Sequence, residues 1–367
     1  MEIVHIIARV NIGGTANWVL TLAEKLRENG HQSTIFTGLV ADNEVEDPKL
    51  SKIGFIRIPH LTRTPNLMND LKSIIFLRRK LIELNPDIIN THTAKAGILG
   101  RLAAVGLSIP KVHTFHGHTF YGYFSPLKSK MIILLERFMG SFTEKYIAVG
   151  NQVRIDLIEN RIAKSSKIAV ICPPLSQMVL VDRKILRESF GISENSFVVG
   201  VLGRVTAIKR PDLVLEIAKM NPSITFLLGG GGDLEKKFID ANLSNVHYVG
   251  WCQPGEFWPA CDLALLTSDN EGIPTSLIEA GSLGIPALAR KVGSVADVLL
   301  DHKTGEFFEE VNMANEILRR LASNQILLSN YSTNTKAYVE ETFSAQNFYV
   351  LHENLYIAIL ANINRVN

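Results

Sequence analysis

Two glutamates lie where a predicted buried strand gives way to a helix in the second half of the chain. The apolar run at residues 263–266 has the length and composition of a buried strand, and Glu271 follows it in a loop. Glu279 comes eight residues later, in the first turn of a helix predicted to begin near Thr275 or Ser276. A carboxylate in such a loop can accept hydrogen bonds from the hydroxyls of a sugar.

Backbone amides in the same segment can bind an anion. The first N–H groups of a helix lack intrahelical partners, and the positive end of the helix dipole favours negative charge beside them. A phosphate held there would lie next to the carboxylate that accepts the sugar hydroxyls. The segment contains Gly272, Ile273, Pro274, Thr275 and Ser276, and each of these except the proline has an N–H to donate.

A purely structural role for Glu279 is the alternative. Ser276 and Glu279 have the spacing of a capping box, in which two side chains bond the amides at the start of a helix. In that case Glu279 would stabilise its helix and contact no ligand.

A second loop carries positive charge. Arg204 and Lys209 lie between Gly203 and Pro211, directly after a strand predicted at residues 197–202. Arginine binds a diphosphate through its planar fork of donors, and lysine binds it as a point charge. The alternative is that both side chains are only solvated, as pairs of basic residues in loops usually are.

Glycines mark two further strand ends. The run at residues 229–233, which includes Gly230, follows a predicted strand and has no side chains to obstruct a ligand, although a flexible turn would have the same composition. Gly13 and Gly14 join the first predicted strand to the first helix. Such junctions bind phosphate in many folds, but the G-x-G-x-x-G pattern of dinucleotide sites is missing from this one.

Two histidines flank Gly117 at another strand end. His116 and His118 follow the strand predicted at residues 111–115. A histidine in this position can contact a ligand, but it is more often a structural residue.

The elements that must position these residues alternate along the chain. Short apolar strands followed by amphipathic helices predict parallel sheets covered on both faces, and a Cys-Pro-Pro sequence at residues 172–174 interrupts the alternation. We therefore expect an α/β protein of two Rossmann-like, doubly wound domains that face each other across a ligand-binding cleft. The expected domains are residues 1–173 and 174–345, followed by a C-terminal helix at 346–367. Their predicted strands are residues 3–8, 33–37, 87–91, 111–115, 146–149 and 168–171, then 197–202, 224–228, 246–248, 263–266 and 286–289.

Composition excludes several classes of protein. A hydrophobic fraction of 46% with 20% charged residues in 367 positions is typical of a well-packed globular chain. Cys172, Cys252 and Cys261 have no metal-ligand spacing, so we expect reduced, buried thiols. The N-terminus lacks the basic region of a signal peptide, and no apolar run is long enough for a membrane span. We expect a cytoplasmic protein that needs no cofactor and binds no nucleic acid.

Together, the five segments resemble the family 4 retaining glycosyltransferases of the kind that builds bacterial surface polysaccharides, which have the GT-B fold. The most specific part of the resemblance is the pair of glutamates, Glu271 and Glu279, in the family's E-G-x-P setting. It implies transfer of a sugar from a nucleotide-diphosphate sugar, with a UDP-sugar favoured, to a glycan or lipid-linked acceptor in lipopolysaccharide or capsule synthesis.

The resemblance also assigns roles at the donor. Glu271 would bind hydroxyls of the donor sugar, Glu279 would bind the ribose, and Arg204 and Lys209 would neutralise the diphosphate leaving group. No Asp-x-Asp pair is present to clamp a metal ion, so we expect metal-independent transfer in which these two cations do the work of the metal. Retention by same-face attack is implied by the family alone.

Further roles come from the same resemblance. Gly14 would donate its N–H to the diphosphate, His116 would contact the transferred sugar, and the base would lie near Val249, Gly250 and Trp251. The final helix would cross back onto the N-terminal domain. The chain departs from the family pattern at three positions, with Arg210, Ser294 and Asp297 where glycine, glycine and glutamate are usual.

Two other functions compete with this one. A sugar-nucleotide 2-epimerase shares the two-domain architecture and would form no acceptor-linked product. A catalytically silent scaffold of a polysaccharide assembly complex is the second alternative. Such a scaffold would not need Glu271, Glu279, Arg204, Lys209 and His116 together.

Charge is divided unevenly along the chain. Residues 1–167 hold 22 Lys and Arg against 14 Asp and Glu, whereas residues 168–367 hold 16 against 22. A basic first half suits an anionic partner, although solvated charge explains the count equally well. Residues 124–142 could form an amphipathic helix resting on the inner membrane face, or the apolar side could pack on the sheet. The residues concerned are Lys128, Lys130 and Arg137, among Leu127, Met131, Ile132, Leu135 and Phe138.

Overall fold

The computed structural model describes residues 1–41, 44–62, 64, 66–117 and 126–364, without the side chains of residues 126, 128, 363 and 364. The chain divides into two compact units. The first unit consists of Met1–Pro174 together with Ala345–Asn367, and the second of Leu175–Ser344. The division expected from the sequence lay after residues 173 and 345.

In its described part, the first unit has a sheet of seven parallel strands in the order β3-β2-β1-β4-β5-β6-β7. The strands are β1 (Glu2–Ile7), β2 (Gln32–Thr37), β3 (Phe55–Arg57), β4 (Ile88–His92), β5 (Lys111–Phe115), β6 (Lys145–Ala148) and β7 (Ile168–Val170). The helices between them are α1 (Gly14–Glu28), α2 (Leu67–Leu84), α3 (Ala94–Ala103), α4 (Pro126–Met139) and α5 (Asn151–Glu159). Every residue of β4 and β5 is buried, because helices cover both faces of a doubly wound sheet.

The second unit repeats this architecture. Six parallel strands of the described chain lie in the order β10-β9-β8-β11-β12-β13. They are β8 (Val198–Leu202), β9 (Thr225–Gly229), β10 (Val246–Tyr248), β11 (Leu263–Leu266), β12 (Ala287–Arg290) and β13 (Gly305–Phe308). The helices are α6 (Arg183–Ser189), α7 (Pro211–Met220), α8 (Lys236–Ile239), α9 (Thr275–Ser282), α10 (Val311–Ser323) and α11 (Gln325–Thr342).

Each sheet therefore reverses its strand order at one point, between β1 and β4 in the first unit and between β8 and β11 in the second. The loops that leave neighbouring strands diverge at such a reversal and open a crevice at their carboxyl ends. These two crevices are where the fold positions ligand-binding residues.

The last helix, α12 (Ala345–Asn364), belongs to the first unit and packs against α1. The ring of Trp18 on α1 meets Phe348 edge-on, with ring centroids 4.7 Å apart. Further along the helix, the hydroxyl of Tyr356 accepts a hydrogen bond from Asn90 Nδ2 on β4 at 2.9 Å. The final helix thus covers one face of the first sheet.

The edge strands β3 and β13 are absent from the predicted set. Cys261 is buried, but Cys172 and Cys252 are only half-buried. No helix among the described residues combines the length and the apolar composition needed to span a membrane.

Candidate functional site

A pocket lies at the reversal point of the second sheet. Its empty volume is about 400 Å³ and it opens to solvent. Loops that leave β8, β9 and β11 at their carboxyl ends supply its lining. The polar and glycine residues among that lining are Gly203, Arg204, Lys209, Gly229, Thr267 and Ser268.

The sequence-predicted residues Lys209 and Glu271 meet beside this pocket. Lys209 Nζ lies 2.5 Å from Glu271 Oε1, and Ser268 Oγ donates to the same oxygen at 2.6 Å. No described residue bonds Oε2, so that oxygen can accept a hydrogen bond from a ligand. The Glu271 side chain is nearly buried, whereas that of Lys209 is about one quarter exposed. The cation is therefore partly open to a ligand.

Backbone contacts hold these two loops together. Thr267 Oγ1 donates to the carbonyl oxygen of Lys209 at 2.8 Å, and the N–H of Asp269 donates to that of Ile208 at 2.8 Å. On the other side of Glu271, the chain passes close to Gly293. A Cβ on Gly293 would lie 1.8 Å from Glu271 O, and its φ of +53° also favours glycine. Gly293 is thus required for the position of the loop that carries Glu271.

The ion pairs of Arg210 account for its presence where the family pattern usually has glycine. Its φ is +53°, in the left-handed region where glycine is favoured, so a non-glycine residue there is strained. The guanidinium bonds Asp212 at 2.8 Å and Asp269 at 3.2 Å, and Arg290 is also paired with Asp269. This ion-pair network offsets the strain and ties the Lys209 loop to the loop after β11.

Arg204 stands apart from that network. It is exposed, lines the pocket and forms no ion pair with any residue that the structure describes. An unpaired guanidinium beside a pocket is available for an anionic ligand.

The glycine run after β9 packs directly on the Arg204 loop. A Cβ on Gly230 would lie 1.8 Å from the carbonyl oxygen of Gly203, so only glycine allows this approach. The N–H of Gly230 donates to Gly250 O at 2.7 Å, which brings the loop after β10 alongside. In that loop, Trp251 is 65% exposed. An indole so open to solvent is free to stack on an aromatic ligand.

The capping interpretation of Glu279 is wrong. Helix α9 begins at Thr275 with Pro274 as its N-cap and without a side-chain capping bond, so Glu279 lies in the second turn and not the first. Burial raises the pKa of the Glu279 carboxyl to about 7, against the opposing effect of the Trp258 indole. Gly272, Ile273 and Ser276 are half-buried around the start of α9, where free amides can meet an anion.

In the first unit, the predicted residues follow β1 and β5. Gly13 and Gly14 are exposed, and Gly14 is the first residue of α1. His116 is half-buried directly after β5, and its ring meets Trp18 edge-on at 5.3 Å. His118 lies outside the described residues.

His116 also belongs to a row of histidines that sequence reasoning missed. Its Nε2 lies 3.0 Å from His92 Nδ1, and His92 Nε2 lies 3.3 Å from His5 Nδ1. Burial, followed by nearby His352, lowers the pKa of His116 to about 3 and that of His5 to about 3. Burial and the neighbouring imidazoles hold the pKa of His92 well below its ordinary value. All three rings are therefore neutral at physiological pH.

Family models match both parts of the chain. The model described as Glycosyltransferase Family 4 matches residues 12–176, and the model described as Glycosyl transferases group 1 matches residues 182–338. The chain belongs to glycosyltransferase family 4.

Relatives and solved structures agree with that membership. The glycosyltransferase is 29% identical over 327 residues to UDP-Gal:alpha-D-GlcNAc-diphosphoundecaprenol alpha-1,3-galactosyltransferase of Escherichia coli, covering 83% of this chain and 84% of that one. It is 23% identical over 317 residues to the capsular polysaccharide biosynthesis glycosyltransferase CapM of Staphylococcus aureus, and the match covers 80% of this chain and 82% of that one. The crystal structure of Anabaena HepE with UDP matches with a TM-score of 0.82 at 18% identity, covering 98% and 100%. The fold of the glycosyltransferase is GT-B.

Several residues in and around the pocket of the second unit escaped sequence analysis. Ser268, Thr267 and Gly293 support Glu271 and Lys209, and Asp269 anchors Arg210. Position in the sequence was the available signal, because Thr267, Ser268 and Asp269 lie between the predicted strand and Glu271. In the part of the glycosyltransferase that the structure describes, no group of three or more His, Cys, Asp or Glu side chains is arranged to hold a metal ion.

Proposed function

We propose that this glycosyltransferase moves the sugar of a UDP-sugar, with retention of anomeric configuration and without a metal ion, to a lipid-linked or glycan acceptor in surface polysaccharide synthesis. The observation that carries the proposal is the Lys209–Glu271–Ser268 cluster beside the exposed Arg204 at the strand reversal of the second unit. Cations and a supported carboxylate are what departure of a diphosphate from a sugar requires.

In this proposal, two cations stabilise the leaving group. Negative charge grows on the β-phosphate as the bond to the anomeric carbon breaks, and preorganised positive charge there lowers the barrier. Arg204 has no competing ion pair among the described residues, and Lys209 is partly exposed. Glu271 keeps its Oε1 on Lys209 and Ser268 and offers Oε2 to hydroxyls of the sugar.

The remaining residues bind the rest of the donor. In the second unit, the amides of Gly272, Ile273, Thr275 and Ser276 at the start of α9 bind the diphosphate. Glu279 accepts hydrogen bonds from the ribose, and Trp251 stacks on the base while Gly13, Gly203, Gly230 and Pro274 shape the loops. The UDP found with HepE and the UDP-Gal named for the E. coli relative support uracil as that base.

Helix α4 supports a lipid-linked acceptor. Its outer face exposes Leu127, Met131, Leu134 and Phe138, which are each 58% to 72% exposed. These residues recur every three or four positions and so form one continuous apolar stripe. These four side chains therefore do not pack on the sheet, which was the alternative interpretation of this helix.

The inner face of α4 buries a charged residue as well as Met139. Glu136 is buried and bonds Arg101 on α3 through both oxygens, at 2.9 and 2.8 Å. Lys130 and Arg137 are exposed, while the Lys128 side chain lies outside the described part. A helix that buries its acid and exposes leucines beside basic residues suits an anionic membrane surface. Neighbouring α2, which also packs on α3, exposes Leu67, Met68, Leu71 and Ile75.

A donor panel tests the proposal. The protein is incubated with UDP-, GDP-, ADP- and TDP-sugars, each with a lipid-diphosphate-linked sugar acceptor and with excess EDTA. We expect UDP to be released at the rate at which an α-linked product forms from an α-linked donor. EDTA should lower neither rate. A 2-epimer formed without acceptor would establish the epimerase. Absence of turnover with every donor, despite UDP binding, would favour the scaffold.

A further inference from the structure

Three histidines occupy one face of the first sheet. In the parallel register, His5 on β1 lies opposite Asn90 on β4, and His92 lies opposite Thr114 on β5. Alternate residues of a strand face the same side, so His92 shares the face of Asn90, and His116, two residues after Thr114, continues it. The row His116–His92–His5 therefore runs inward from a strand end across three adjacent strands.

The row is joined by hydrogen bonds that can point in only two ways. Each neutral imidazole has one N–H donor and one bare nitrogen acceptor. The bonds link His116 Nε2 to His92 Nδ1 and His92 Nε2 to His5 Nδ1. If His116 Nε2 carries the proton, every proton points inward and His5 must carry its own on Nε2. If instead His5 carries its proton on Nδ1, every proton points outward and His116 is protonated on Nδ1.

The inner end of the row selects between these arrangements. His5 Nε2 is buried and has no hydrogen-bond partner among the described residues. With protons pointing inward, it would be an orphaned buried N–H, which is rarer in proteins than an unsatisfied acceptor. With protons pointing outward, it is only a bare nitrogen. The outward arrangement is favoured.

His352 on α12 is the nearby group that could reverse this choice. Its Nδ1 lies 2.8 Å from the carbonyl oxygen of Phe348, so Nδ1 carries the proton and Nε2 is bare. A bare nitrogen could accept from His5 Nε2, but neither atom has a hydrogen-bond partner in the described chain. His352 therefore provides a direct control for the direction of the row.

The outer end of the row is His116, the residue that the family resemblance assigns to the transferred sugar. Nδ1 of His116 bonds no described residue, and the edge-on contact with Trp18 fixes the ring. We propose that His92, itself held by His5, is a positioning residue that fixes His116 with its proton on Nδ1, so that His116 offers the transferred sugar a hydrogen-bond donor and not a base. This inference rests on the proposed function for the presence of the sugar.

The consequence is a requirement on the substrate. His116 needs an oxygen acceptor on the sugar, such as a hydroxyl or an acyl oxygen, and a deoxy analogue without it loses the contact. His116 takes no proton from the acceptor hydroxyl in this arrangement, because its bare nitrogen is occupied by His92.

Nitrogen-15 NMR of histidine-labelled protein reads the tautomer directly. The His116 signals are identified by their loss in His116→Gln. We expect Nε2 to be the unprotonated nitrogen in the intact protein. His92→Asn, whose amide N–H replaces that of Nδ1, should keep this tautomer, and His92→Leu should shift it toward a mixture. A protonated Nε2 in the intact protein overturns the proposal, as does an unchanged tautomer in His92→Leu.

His352→Phe is the matched control for His92→Leu, because it also removes a buried histidine, one that lies beside the row. It should leave the His116 tautomer unchanged, and a switch to protonated Nε2, or to a mixture, would show that His352 sets the direction. In kinetics, His92→Leu should lower kcat about tenfold, His92→Asn should restore it, and the Kd for UDP, which has no sugar, should stay within about twofold. A fall in UDP affinity that matches the fall in kcat would indicate a merely structural role. If no nucleotide sugar is turned over, the proposed function fails while NMR still decides the tautomer.

Discussion

At the scale of single residues, Lys209 has two partners in the proposed site, Glu271 and the diphosphate. Lys209 neutralises Glu271 before any ligand arrives, and in the proposed reaction it also faces the diphosphate. Arg204 has only the second task, because no described residue pairs with it. Substitutions at the two positions should therefore differ in their effect on stability while sharing an effect on rate.

Replacing either cation with alanine should lower turnover roughly 10- to 150-fold, the equivalent of about 1.5–3 kcal/mol for a charge-assisted hydrogen bond. Lys209→Ala should also lower the free energy of unfolding by about 1–3 kcal/mol, since it leaves the nearly buried Glu271 without its cation. Arg204→Ala should leave unfolding unchanged. Steady-state transfer rates and urea titrations measure the two quantities.

Two variants make this comparison specific. Lys209→Ala/Glu271→Gln should recover stability but not turnover, and Lys219→Ala, on the exposed side of α7, should change neither. Near-normal rates in both Arg204→Ala and Lys209→Ala would place the diphosphate elsewhere.

In the proposed function, Glu279 gives donor binding a pH dependence. Its carboxyl has a pKa of about 7 in the folded chain, against an ordinary value of 4.5. The folded state thus binds more protons between these values, so the stability contributed by this group is full below pH 4.5 and is lost as pH rises toward 7. Affinity for the donor moves the other way, because only the carboxylate accepts two ribose hydroxyl bonds. We expect a UDP-sugar to bind about tenfold more tightly at pH 8 than at pH 6.

Isothermal titration calorimetry measures this affinity with an intact UDP-sugar, whose diphosphate diester does not titrate in that range. Glu279→Gln should remove most of the pH dependence. Glu216→Gln, on the exposed face of α7, should retain it. A pH dependence that persists in Glu279→Gln would assign the titration to another group.

At the scale of elements, the sequence predicted most strands and the carboxyl-end position of every candidate segment. Strand–helix alternation locates β8, β9 and β11 because each is a continuous apolar run. It missed β3 and β13 because neither is a continuous apolar run: β3 ends at Arg57, and β13 begins with Gly305 and Glu306. It also could not pair Lys209 with Glu271, which are 62 residues apart and meet only because β8 and β11 are neighbours.

The turn that carries Arg210 offers a test of backbone strain within an element. Arg210→Ala loses the ion pairs with Asp212 and Asp269 and keeps a φ of +53°, whereas Arg210→Gly loses the same pairs and relieves the strain. The alanine variant should therefore be less stable than the glycine variant by about 1 kcal/mol. Urea unfolding of both proteins measures the difference.

The control for this pair is Glu216, in the interior of α7. There the order should reverse, with Glu216→Gly less stable than Glu216→Ala by about 1 kcal/mol, because glycine is the poorer helix former. Equal stabilities of the two Arg210 variants would mean that the turn relaxes without glycine.

At the scale of the whole molecule, the surplus of basic residues in the first half coincides with apolar surface on α2 and α4. Basic residues near an anionic membrane contribute about 1 kcal/mol each, and apolar side chains add to this when they enter the interface. The second half has an excess of acidic residues and should contribute no such attraction. The combination predicts peripheral binding through the first unit.

Co-sedimentation with anionic and with neutral vesicles over a salt series tests this prediction. Binding to anionic vesicles should weaken as salt rises, because surface charges are screened. It should fall further in Lys128→Ala/Lys130→Ala/Arg137→Ala and in Leu127→Ser/Met131→Ser. The matched control, Lys219→Ala/Lys236→Ala/Lys237→Ala, removes the same charge from exposed positions of the second unit and should bind like the unaltered protein. Failure to bind either vesicle type at low salt would rule out membrane attraction. Equal loss of anionic-vesicle binding in the two triple variants would show that only the net charge of the protein matters.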